Sequence, residues 1–150
     1  MLRELFKCMS VMEFNRENSP VLEIKDILQL DNYTVGSDVS FAAKRHTFKV
    51  RSWKLIKFEK NVLIAEAVIA MSNKNIIPAN IRETLMFATE YSLNNDIKLQ
   101  IVVIDSVLYR TDFESKNVLP LIDVSNEGKK ITMLTLDSSL LNQDYYIVGI

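Results

Sequence analysis

Residues Arg45–Ser72 read RHTFKVRSWKLIKFEKNVLIAEAVIAMS: a basic, aromatic run, a short polar break, then a nearly unbroken apolar run. In the first half Phe48, Val50 and Ser52 alternate with Lys49, Arg51 and Trp53, the period of two expected of a strand. In the second half Val62–Met71 is rich in β-branched residues and reads as a strand buried on both faces. Glu59-Lys60-Asn61 then becomes the turn of a hairpin that joins them.

Working outward, Leu2, Leu5, Phe6, Met9 and Met12 follow three- and four-residue spacing, which predicts an amphipathic N-terminal helix from about Leu2 to Phe14. NRENSP at 15–20 is a polar break, and VLEIKDILQL at 21–30 fits a helix or a strand equally well. Residues 31–37 are loop-like, and 39–43 reads as a short strand. Pro78 suits the first turn of a helix, where its missing N–H costs nothing. Ile81, Leu85, Ala88 and Tyr91 continue that helix to about residue 93. IKLQIVVI at 97–104 is a strand, 118–124 and 130–136 form a second hairpin, and 145–150 closes the sheet. The expected fold is one α+β domain over 1–150: a largely antiparallel sheet, the 78–93 helix on one face, and the amphipathic helix at the N-terminus.

Composition narrows the function classes. The 150 residues are 48% hydrophobic and 25% charged, as in an ordinary globular domain with a sizeable core. No apolar run approaches the roughly 18 residues that span a bilayer, since Glu66 interrupts the longest at Val62–Met71. The N-terminus mixes charges into its apolar residues and lacks a signal-peptide core, so a cytoplasmic protein with no membrane partner is expected. Cys8 is the only cysteine, which excludes an internal disulfide.

Most catalytic constellations are excluded. His46 is the only histidine, which excludes paired-histidine metal sites, and its spacing from Cys8 suggests no nucleophile–base pair. The glycines at 36, 128 and 149 are too dispersed to cradle a phosphate. Asp105, Asp112, Glu114 and Asp123 lie near predicted strand ends but lack calcium-loop spacing. No catalytic residue, metal ligand or cofactor is assigned. Asn32-Tyr33-Thr34 matches the glycosylation tripeptide, which carries no weight without a secretory signal.

Two surfaces remain. Between Lys44 and Lys60 seven bases face one acid, Glu59, while the other residues hold eleven bases and eighteen acids. Lys44, Arg45, Lys49, Arg51 and Lys57, with Trp53 to stack on a base, make a candidate anion or nucleic-acid site. The N-terminal helix, bearing methionines and an aromatic ring, is a candidate partner-binding or self-association element.

Glu66 is the odd residue in its apolar run, because a buried carboxylate needs a partner. If residues 59–61 form a three-residue loop, Phe58 faces Val62 and Lys54 falls opposite Glu66, an expected structural pair. The order helix, three strands, helix, strand over roughly residues 22–104 also resembles the core of the restriction-endonuclease-like nucleases. That family carries Glu-x-Lys on its third strand and an upstream Asp that helps hold a divalent metal. Glu66-Ala67-Val68 has Val in place of that Lys, and Asp38 would be the upstream acid. The resemblance therefore implies a nuclease-like core, degenerate or active, behind the basic hairpin. The leading expectation is a small non-enzymatic interaction protein that binds a protein partner or its own copies. A nucleic-acid-binding module is the alternative.

Overall fold

In a computed structural model the described residues are 8–16, 22–37, 39, 41, 49–94, 98–106, 117–125 and 127–150. The elements run β1 (Met9–Asn15), α1 (Ile24–Leu30), β2 (Thr34–Val35), β3 (Ser52–Phe58), β4 (Val62–Leu63), α2 (Ile64–Asn73) and α3 (Ile81–Asn94). They continue with β5 (Leu99–Val102), β6 (Asn117–Ser125), β7 (Gly128–Leu136), β8 (Leu140–Leu141) and β9 (Tyr146–Gly149). Short 3-10 turns occupy Ile104–Ser106 and Asp137–Ser139. Seven strands form one sheet in the order β1-β3-β9-β5-β6-β7-β2, and β4 with β8 make a separate two-stranded ribbon. All pairs in the large sheet are antiparallel except β5 with β9 and β2 with β7. The α+β fold, its mainly antiparallel sheet and the helix following Pro78 match the sequence reading.

Strand alternation sends apolar side chains to both faces of the sheet, so each face must be covered. On β3, Trp53 and Leu55 enter a core built with Ile27 of α1 and Ile81, Leu85, Phe87 and Tyr91 of α3. Ile56 and Phe58, on the opposite face, join Ile64, Ala67, Ala70 and Met71 of α2, together with Val62 and Leu141. The fold is thus three-layered: α1 and α3, then the sheet, then α2 with its ribbon. The α3 side is rich in rings. Phe14, Phe87, Tyr91 and Trp53 make edge-on or tilted contacts with centroids 5.5–6.0 Å apart.

The α3 helix begins with a reciprocal cap. The Asn80 N–H donates to Glu83 Oε1 at 2.8 Å, and the Glu83 N–H donates to Asn80 Oδ1 at 2.9 Å. Both residues are buried, so the cap also satisfies polar groups that water does not reach. Gly149 of β9 marks a close approach to α2 and its exit. A Cβ there would meet the Ile76 side chain, and would sit 3.2 Å from Met71 Cε and 3.3 Å from Ile56 Cδ1. Among the described residues no helix is long and apolar enough to cross a membrane.

Three local expectations are corrected. Met9–Phe14 is not helical: β1 pairs with β3 over seven residues, from Met9 opposite Phe58 to Asn15 opposite Ser52. The i, i+3 spacing of its methionines yields to alternation, with Met9 and Val11 packing on the α2 side and Phe14 on the α3 side. Residues 2–7 of the expected helix lie outside the described residues. Next, the ambiguous 21–30 segment is helical over 24–30, and Ile27 is its buried anchor. The third correction is the largest. The expected strand 62–71 pairs only through Val62 and Leu63, and its remainder is α2. Three alanines favour the helix, and Ile64, Ala67, Ala70 and Met71 recur at helical spacing on its buried face. The strand expected at 39–43 is outside the described residues except for 39 and 41, neither of which is in a strand.

Candidate interaction surface

The basic run does not form a hairpin face. β3 is an interior strand between β1 and β9, so both of its backbone edges are hydrogen-bonded and its side chains divide between two covered faces. Lys49 and Arg51 precede the strand and are exposed. Lys57 is half-buried, its Nζ 5.2 Å from the centre of the Tyr146 ring. Lys44, Arg45 and His46 lie outside the described residues.

Trp53, chosen from sequence as a stacking ring, is 1% exposed. Its Nε1–H donates to Glu90 Oε2 at 2.6 Å, and Arg16 Nε stands 3.8 Å from the other carboxylate oxygen. Arg16 also donates to the Val50 carbonyl through Nη1 at 3.4 Å. The indole is therefore a core residue holding β3 to α3 and to the end of β1, with no face presented to a base.

The Lys54–Glu66 pairing is likewise replaced. Lys54 lies opposite Glu13 on one side and Gly149 on the other, and its Nζ donates to Ser52 Oγ at 3.4 Å. Glu66 has left the sheet for the first turn of α2, where its Oε1 accepts the Leu63 N–H at 3.0 Å. This is half of a capping box, since the leucine at the cap has no side-chain acceptor to complete it. The carboxylate also favours the positive end of the helix dipole. Glu66 keeps a structural role, but through a helix cap rather than a cross-strand partner. With residues 64–73 helical and Glu66 off the sheet, the nuclease-like strand carrying Glu-x-Lys is absent; Asp38 is outside the described residues.

Other polar features are balanced and inward-looking. Asp31 accepts a short hydrogen bond from Thr89 Oγ1 and pairs with Lys129 at 3.1 Å, while Lys129 Nζ lies 5.8 Å from the Tyr33 ring centre. This joins the end of α1 to α3 and β7. An open hollow of about 470 Å³ beside the β6–β7 turn is lined by Lys98, Lys129 and Lys130 but also by Asp123 and Glu127, so it concentrates neither sign. A second, of about 420 Å³, sets Lys57 against Glu59 and Asp144. Among the described residues no three metal-binding side chains converge.

What stands out is the outer side of α2. A surface helix ordinarily turns polar residues to water. Here Ala65, Val68, Ile69 and Ser72 all face outward, with Val68 38% and Ile69 45% exposed. Beside the helix start, Leu63 and Leu140 pair across the ribbon and both turn outward, 43% and 41% exposed, while Val62 and Leu141 turn into the core. One layer thus presents apolar residues on both sides, the inner set buried and the outer set in water. Sequence reading missed these outer residues because it placed Val62–Met71 inside the sheet. The usable signal was in that run all along: a helical reading leaves it with no polar face.

Compared with known families, curated proteins and solved structures, the chain finds no match.

Proposed function

We propose that this protein is a non-enzymatic interaction module that docks a macromolecular partner, or its own copies, through the outer face of α2 and the β4–β8 ribbon. The observation that supports the reading is the exposure of Leu63, Val68, Ile69 and Leu140 on a helix and ribbon whose other face already fills the core. Each Å² of such surface removed from water contributes about 25 cal/mol, so a partner gains from covering it. Exposed apolar residues grouped on one helix and its adjoining ribbon mark interaction surfaces more often than singly scattered ones do. A cytoplasmic setting belongs to the same reading, because the one thiol, Cys8, is buried and needs no oxidised partner.

The test is a photo-crosslinking residue placed at Val68 in cells producing the protein, with Gln143, exposed on a polar turn, as the control position. The reading expects a discrete adduct from position 68 and none from 143. No adduct from 68, or equal adducts from both, overturns it.

A further inference from the structure

We draw no further inference here: the strongest candidate, the apolar outer face of α2 and the β4–β8 ribbon, belongs to the surface already described, and nothing in the structure shows what covers it.

Discussion

The link between Trp53 and Glu90 offers the sharpest test of whether the aromatic of the basic run is structural. Replacing Glu90 with Leu removes the acceptor 2.6 Å from Trp53 Nε1 and leaves an N–H unpaired on a residue that is 1% exposed. That costs about 1–3 kcal/mol. It also removes the carboxylate beside Arg16, whose side chain and that of Glu90 are 11% and 12% exposed. Breaking a buried ion pair from one side costs about 3–5 kcal/mol. The 3.8 Å separation and the hydrogen bond from Arg16 to the Val50 carbonyl argue for the low end of that range. Because one carboxylate serves both contacts the two costs overlap rather than add, and we expect a total loss of about 3–4 kcal/mol. For a chain of this size that lowers Tm by about 2–4 °C per kcal/mol. Glu90→Gln keeps an acceptor for the indole and loses only the charge, so it should cost less than half as much.

The decisive quantity is the coupling in a double-mutant cycle of Glu90→Leu with Trp53→Phe, followed by urea unfolding monitored by circular dichroism. A hydrogen bond to a charged group predicts a coupling of about 1.5–3 kcal/mol. Trp53 is the only tryptophan, so its fluorescence reports the same site directly in the Glu90 variants. A coupling below about 0.5 kcal/mol, the level at which independent sites add, would refute the claim that Glu90 holds the indole in place.

Three further predictions follow from neighbouring features. Glu66→Ala should destabilise by only about 0.5–1 kcal/mol, as loss of a helix-start interaction does, and should be additive with Lys54→Met; measurable coupling between them would restore the cross-strand pairing. Tyr33→Phe should be neutral or slightly stabilising at pH 7, because the hydroxyl is buried with no hydrogen-bond partner among the described residues. Burial, and then the Asp31 charge, raise the Tyr33 pKa above its ordinary value. The wild type should therefore hold its stability below about pH 10 and lose it as pH rises further, where the unfolded chain releases a proton that the fold retains. Unfolding curves across that range should be flatter for Tyr33→Phe, and equal slopes would count against a buried phenol. Finally, wild-type protein should show no salt-sensitive binding to generic DNA or RNA at about 50 mM salt, since Trp53 is enclosed; binding weakened by Lys49→Glu with Arg51→Glu would revive the nucleic-acid reading.

Much of the architecture was legible because it rests on short-range chemistry. Ile81, Leu85 and Ala88 at helical spacing yield α3, although Pro78, expected in its first turn, instead bridges to Gly149 two residues before the Asn80 cap. The alternating and then apolar run near 97–104 yields β5, and two apolar segments around a Gly-containing turn yield the β6–β7 hairpin, in which Gly128 takes a positive φ of 136°. In each case the local preference and the final packing agree. The exclusions drawn from one histidine, one cysteine and three scattered glycines also needed no coordinates.

Tertiary structure decided the rest, and for one reason. Met9–Asn15 and Val62–Met71 are apolar runs whose own periodicity supports either helix or strand. β3 offers a full edge to β1, so the first run is drawn into the sheet against its helical spacing. On its other edge β3 is taken by β9, from the far end of the chain, which leaves the second run no edge to join. That run coils instead and packs Ala67, Ala70 and Met71 onto the sheet, which turns Val68 and Ile69 to water. Which segment claims an edge depends on pairings between residues about 90 positions apart. The local sequence of Asn61–Ser72 carries no record of them.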